Sequence, residues 1–271
     1  MKVALAQMQS GPYIHENMST VSACIEDAAI RHKAELIVFP ENFLCMGGMH
    51  YRQKTEEFAA SLLAICDLAK HFSVCILAGS IPVPSQSSST KCLSRSYLIQ
   101  ANGKICGYYD KVHLFDVKVG DQQGSYCESD SFSPGSSLIT LPVMGRCLGL
   151  SICYDLRFPG LFQGLRDQGA EMIAVPSAFT YKTGQAHWAT LLKARAIETQ
   201  CFILAANQCG VHQLENGGQP RMTWGHSMII DPWGELLCSM EEAPGICCAD
   251  LDFERMQAIR HAMPLTDHRC Y

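Results

Sequence analysis

Three polar residues directly follow apolar, strand-like runs: Glu41 after ELIVFP, Lys111 after ICGYYD and Cys153 after CLGLSI. In open α/β sheets, functional side chains gather in the crevice outside the carboxyl ends of strands, so three such ends are placed to converge. Their chemistry is complementary. A cysteine attacks a carbonyl as its thiolate, and a neighbouring carboxylate can take the proton. The tetrahedral oxyanion that follows needs a fixed positive donor, which a lysine ammonium supplies. Taken singly, each residue also has an ordinary reading: Glu41 as a turn cap, Lys111 as a surface charge and Cys153 as a core thiol.

The elements that must position these residues follow from hydrophobic periodicity. Strand-like runs at 3–8 and 35–39 flank a stretch, 16–33, whose apolar positions recur at helical spacing. A second helix fits 55–70, followed by strands at 74–79, 96–100, 105–109 and 147–152. Alternation then returns, with a helix at 159–168, the strand MIAVP, a helix at 185–198 and the strand CFILAAN. Strands at 226–231 and 246–251 and a closing helix at 252–262 complete an α/β order with a strand-rich middle. The Ser-rich stretch 85–90 and the segment 212–222, with its Asn-Gly-Gly, read as exposed loops. Neither is long enough for a linker, so residues 1–271 read as a single domain.

Composition narrows the function classes. A chain of 271 residues, 48% hydrophobic and 17% charged, has the material for a full core. The net charge of −5 and the absence of any basic block leave no electrostatic footprint for nucleic acid or an anionic membrane. No apolar run approaches the roughly 20 residues of a membrane span. The start of the chain, MKVALAQMQSGPY, is too short in its apolar part for a signal peptide, so a cytoplasmic location is expected. Fifteen cysteines invite a disulfide or metal reading. Yet no C-x-x-C pair occurs, and most lie inside apolar runs such as VCILAG (Cys75) and CFILAA (Cys201), as small buried hydrophobes.

The strings FPENF, YDKVHLFD and SICYDLRFP resemble, in order, the three signature segments of the nitrilase, or carbon–nitrogen hydrolase, superfamily. The likeness extends from the first strand through GHSMIIDPWGE and so covers most of the chain. It implies an α-β-β-α sandwich and the hydrolysis of a small-molecule amide, with no metal or organic cofactor. It further implies Glu41 as general base, Lys111 as oxyanion donor, Cys153 as nucleophile and Glu128 (in YCESDSFSPG) as a second glutamate that positions Lys111. The Tyr154 N–H would join Lys111 at the oxyanion. Arg157, Phe179 and Thr183 match positions that face the substrate, and His113, two residues beyond Lys111 in the same segment, is a further candidate substrate contact. His187 and Trp188, in QAHW, read as braces at a helix start.

PSAFTYKTGQAHW, LLKARAIETQCF and AANQCG are similar to the Nit branch of that superfamily. This implies an amide of 2-oxoglutarate, cleaved to 2-oxoglutarate and cysteinylglycine, with 2-oxoglutaramate as the alternative substrate. The branch also implies a homodimer or higher homo-oligomer, for which the helices at 159–168 and 185–198 are candidates. Two readings from other classes stand beside the enzyme: a scaffold that has lost activity, and a thiol redox protein suggested by the cysteine count.

Overall fold

The computed structural model describes residues 1–120 and 124–270. Its first half runs β1 (Lys2–Gln7), α1 (Ile14–Ile30), β2 (Leu36–Val38), α2 (Thr55–Phe72), β3 (Cys75–Pro84), β4 (Cys92–Ile99) and β5 (Ile105–Asp110). A short hairpin, β6 (Asp116–Lys118) and β7 (Ser125–Cys127), leads to β8 (Thr140–Val143), β9 (Arg146–Leu150), α3 (Pro159–Asp167), β10 (Met172–Ala174) and α4 (Tyr181–Thr199). The remainder comprises β11 (Phe202–Ala205), β12 (Cys209–His212), β13 (Arg221–Trp224), β14 (Met228–Ile230), β15 (Leu236–Ser239), β16 (Gly245–Asp250), α5 (Phe253–Ala262) and α6 (Leu265–His268).

Two six-stranded sheets form the centre, in the orders β16-β1-β2-β3-β4-β5 and β15-β14-β11-β10-β9-β8. Alternation along the strands explains the layering, because successive side chains leave opposite faces of a sheet. Val3 and Leu5, Leu36 and Val38, and Cys75 and Leu77 join one core cluster with Leu148 and Leu150 of the other sheet. Their neighbours Ala4, Ala6, Ile37, Ile76 and Ala78 join a second cluster with Val21 and Ile25 of α1 and Ile65 and Ala69 of α2. Parallel register keeps the rows aligned, Val3 opposite Leu36 and Leu36 opposite Cys75. On the far side, Leu165 of α3 and Trp188 and Leu192 of α4 cover the second sheet. The result is the expected α-β-β-α sandwich.

The helices form where the apolar spacing places them. Ile14, Val21, Ile25 and Ala28 make the buried stripe of α1, and Asp252 caps α5 by accepting the Arg255 N–H at 2.9 Å. Two expectations need correction. The helix read from 185 begins at Tyr181, so His187 and Trp188 lie well inside α4 rather than at its start. The segment 212–222 is not loop throughout, because β13 pairs with β12, Cys209 opposite Trp224 and His212 opposite Arg221.

His212 closes that hairpin onto the body of the protein. Its Nδ1–H donates to the Ser10 carbonyl at 2.7 Å, and its Nε2 accepts from the Thr223 hydroxyl at 2.6 Å. Burial lowers this imidazole from 6.5 to about 4. The unfolded chain takes up a proton on the ring below about 6.5, the folded chain only below about 4. Stability therefore falls as pH drops through that window, by roughly 3 kcal/mol at its lower end. Urea midpoints measured from pH 7 to 4 should show this slope, and His212→Gln should flatten it. An equal slope in the variant would assign the dependence to other groups.

Candidate active site

Glu41 lies just past β2, where the chain leaves the sheet. The Phe39 N–H still pairs with the Leu77 carbonyl at 3.0 Å, and the Asn42 N–H then turns to the Ser80 hydroxyl at 2.9 Å. Gln208 holds the Glu41 carbonyl through Nε2 at 3.0 Å. The passage is tight: a Cβ on Gly79 of β3 would collide with the Pro40 carbonyl oxygen, so only glycine lets the chain pass. Asn42 takes a left-handed backbone with φ of 56°, and the Glu41 carboxylate ends up buried.

Lys111 follows β5 and is fixed by backbone on both sides. Its N–H donates to the Ser94 carbonyl at 2.9 Å, and its own carbonyl accepts from Gly135 at 2.8 Å. A Cβ at Gly135 would collide with the Asp110 carbonyl oxygen. The ammonium, 1% exposed, donates to Glu41 Oε1 at 2.6 Å and to both oxygens of Glu128 at 2.9 and 2.8 Å. An ammonium taken out of water unpaired costs several kcal/mol, and these contacts offset that cost. Against the effect of burial, Glu128, Glu41 and Cys153 push Lys111 well above its ordinary value, so it stays charged. Glu128 is in turn steadied by the Phe115 N–H at 2.7 Å. Burial, reinforced by Glu41, raises its carboxyl while Lys111 pulls the other way.

Cys153 occupies a sharp elbow after β9. Its φ is +47°, a left-handed conformation that costs a residue with a Cβ about 1–2 kcal/mol. Neighbouring bonds impose it. The Cys153 N–H donates to the Pro176 carbonyl at 2.9 Å, and Ser151 Oγ donates to the Ala174 carbonyl at 2.7 Å. Asp155, fully buried, accepts the Ile152 N–H at 2.8 Å and the Tyr109 hydroxyl at 2.7 Å with one oxygen. Its other oxygen accepts the His113 N–H at 3.1 Å and Nδ1–H at 2.7 Å. Asp155 thus ties the elbow to the segment that carries Lys111. Burial first, and Glu41 second, push the Cys153 thiol far up; Lys111 and the Ala178 N–H act the other way. Burial and the Glu41 charge thus favour the thiol over the thiolate. Glu41, Lys111, Glu128 and Cys153 all line one cavity of about 260 Å³.

The carbon–nitrogen hydrolase family model matches residues 2–261. The chain belongs to the carbon–nitrogen hydrolase family. A protein of Yersinia enterocolitica named deaminated glutathione amidase is 39% identical over 98% of this chain and 92% of its own length. The crystal structure of yeast Nit3, described as a member of branch 10 of the nitrilase superfamily, superposes with a TM-score of 0.85 at 28% identity, covering all of this chain and 97% of that one. The NitFhit protein of Caenorhabditis elegans superposes with a TM-score of 0.89 at 32% identity over 99% of this chain. This chain spans only 65% of that worm protein's length.

As a carbon–nitrogen hydrolase the protein is an enzyme that cleaves amides. The rest of its cavity is aromatic and cationic. Tyr154 stands edge-on to Phe115 and Phe158, at 5.1 and 5.4 Å between ring centroids. Phe179 packs on Trp188 at 4.8 Å, and Thr183 shares a hydroxyl–hydroxyl bond of 2.9 Å with Thr180. Arg157 has no carboxylate partner among the described residues; it donates through Nη1 to His187 Nδ1 at 3.2 Å and lies 5.3 Å from the Phe179 ring. Tyr154, Arg157, Phe179 and Thr183 all line the cavity. His113 does not: its ring stacks on Phe158 at 3.6 Å and holds Asp155, which makes it a support of the elbow rather than a substrate contact. Sequence reasoning missed Asp155, Tyr51 and Arg221. Arg221 reaches the cavity only through the β12–β13 hairpin, a pairing that no local string announces.

Proposed function

We propose that this carbon–nitrogen hydrolase is a deaminated glutathione amidase, which cleaves a 2-oxoglutaryl amide to 2-oxoglutarate and cysteinylglycine. The observation that carries the reading is a buried Cys153 thiol sharing one cavity with Glu41, beside an ammonium held by two carboxylates. Full-length relatives named for this activity support the substrate, and so do two cavity arginines with no carboxylate partner among the described residues.

In this scheme Glu41 takes the Cys153 proton as the sulfur attacks the amide carbon. Burial and Glu41 hold the thiol's pKa up, so in this scheme proton transfer accompanies attack rather than preceding it. Lys111 and the Tyr154 N–H receive the oxyanion, and Glu128 keeps Lys111 aimed. Collapse breaks the C–N bond, and the departing amine takes the proton from Glu41. Water, deprotonated by Glu41, then hydrolyses the thioester and restores the thiol. No metal or organic cofactor enters. Arg157, Phe179 and Thr183 hold the acyl half.

The test is release of 2-oxoglutarate from deaminated glutathione and from 2-oxoglutaramate at equal concentration. A larger kcat/KM for deaminated glutathione is expected. A large preference for 2-oxoglutaramate would replace this reading with that of an ω-amidase.

The same reading takes residues 1–271 as one domain acting on a small molecule in the cytoplasm, where fifteen free thiols suit a reducing environment. No helix among the described residues is long and apolar enough to cross a membrane. It also takes the chain as a homodimer or higher homo-oligomer joined through α3 and α4. In support, Ile197 of α4 is half exposed and lies against the turn at Gly234, beside the exposed Trp233. Sedimentation velocity reads the assembly.

A further inference from the structure

Two arginines flank the nucleophile, and neither is neutralised by a carboxylate among the described residues. Arg157 lies over the Phe179 ring. Arg221, on β13, donates from Nη2 to the Ala178 carbonyl at 2.9 Å and stacks 5.0 Å from the Tyr126 ring centroid. Its Nε is buried and meets no acceptor among the described residues. Ala178 and Phe179 are adjacent in the chain, and the Ala178 N–H reaches the Cys153 sulfur. The two guanidinium groups therefore bracket the short segment that touches the reacting thiol. Lys111, the third cation of the cavity, already holds Glu41 and Glu128.

The two arginines line one cavity from different elements, Arg157 from the elbow after β9 and Arg221 from β13. Glu41 returns its proton to the departing amine, so the leaving group must lie along the wall that Glu41 opens. Asn42, Gly48, Tyr51 and Arg221 line the same cavity as Glu41. Arg157, the cation given to the acyl half in the reading above, lies against Phe179 and His187, which leaves Arg221 for a second carboxylate. A guanidinium with a spare, desolvated N–H and no anionic partner is matched by a carboxylate, which planar N–H donors bind as a charge-assisted pair.

We propose that Arg221 is a specificity residue that binds a carboxylate on the leaving amine, selecting amides of amino acids or short peptides over the primary amide. This rests on the acyl-thioester reading above and adds to it the residue that recognises the departing half. Arg157 remains the cation for the acyl half, so a substrate with a carboxylate at each end spans the cavity between the two arginines.

The test uses the full chain as wild type, Arg221→Gln and Arg221→Lys, with three probes: deaminated glutathione, its C-terminally amidated analogue and 2-oxoglutaramate. Loss of a charge-assisted pair should raise KM for deaminated glutathione about 10- to 100-fold in Arg221→Gln, with a much smaller change in kcat. The loss with 2-oxoglutaramate should be at least tenfold smaller, and Arg221→Lys should recover part of the affinity. Wild type should already lose a comparable factor on the amidated analogue, a comparison that needs no variant to fold, and Arg221→Gln should add little to it. Equal losses on all three probes, or equal KM for the free and amidated peptides on wild type, would overturn the assignment. Failure of the acyl-thioester reading looks different: wild type would then release no 2-oxoglutarate from any probe.

Discussion

Replacing Cys153 with alanine should abolish turnover and leave the protein folded. The thioester cannot form without the sulfur, and what remains is a polarised carbonyl with Glu41 as a base for water. Loss of a nucleophile from a site of this kind lowers kcat by a factor on the order of 10⁵. The stability change should be small, about 1 kcal/mol, because the side chain removed is one sulfur atom. Alanine keeps a Cβ at φ of +47°, so the strain of the elbow stays. Steady-state release of 2-oxoglutarate, read beside a urea unfolding curve, separates the two effects. Mass spectrometry after rapid quench with substrate should find an acyl adduct on wild type and none on Cys153→Ala. Full activity in the variant would remove Cys153 from the mechanism, and with it the reading of Glu41 as its base.

Lys111→Met should damage both activity and fold. Activity falls because one oxyanion donor is lost, an effect of about 10²- to 10³-fold for a single donor. The fold suffers because Glu41 and Glu128 are left buried and facing one another without a cation. Breaking a buried pair by removing one partner costs about 3–5 kcal/mol. The pH dependence carries a definite sign. With no ammonium, one of the two carboxyls holds its proton in the folded state to a higher pH than in the unfolded chain. The folded state then binds more protons, and stability falls as pH rises through that window. The deficit of Lys111→Met against wild type should therefore shrink as pH is lowered from 8 toward 5. In wild type the raised Lys111 works at the other end of the scale. Its stabilisation is complete below the ordinary lysine value of about 10.4 and is lost as pH climbs through its folded value. Equal melting temperatures for the two proteins at pH 8 would show that the buried triad contributes nothing to the fold.

The parts of this molecule legible in the sequence are those with local causes. The 3.6-residue stripe of α1 and the apolar runs of β1, β3 and β9 bury where they read. Glu41, Lys111 and Cys153 follow recognisable strand ends and make one chemistry, while their proposed roles come from the resemblance of FPENF, YDKVHLFD and SICYDLRFP to a known family. Other features depend on distant partners. β16 pairs antiparallel with β1, Lys2 opposite Asp250, and nothing in either string fixes that register. The β12–β13 hairpin escaped because its strands are short and partly polar, RMTW among them, with a Gly-rich turn between. Arg221 escaped with it. His113 was assigned to substrate by its nearness to Lys111 in the chain. The chain has already left β5 at Asp110, so strand alternation does not carry on to His113, and its ring points to Asp155.

The proposed reacting groups come from both sheets. Glu41 and Lys111 leave the first, Cys153 leaves the second, and the closest bond among them joins residues 70 apart in the chain. Such long-range closures are slow to reach during folding, because the entropy of ordering the intervening chain is lost before the contact forms. A species in which either sheet has formed alone has half a catalytic apparatus and no cavity. Emergence of turnover during refolding is thus a clock for the docking of the two sheets, and a newly made chain passes through its collapsed stages without a working nucleophile.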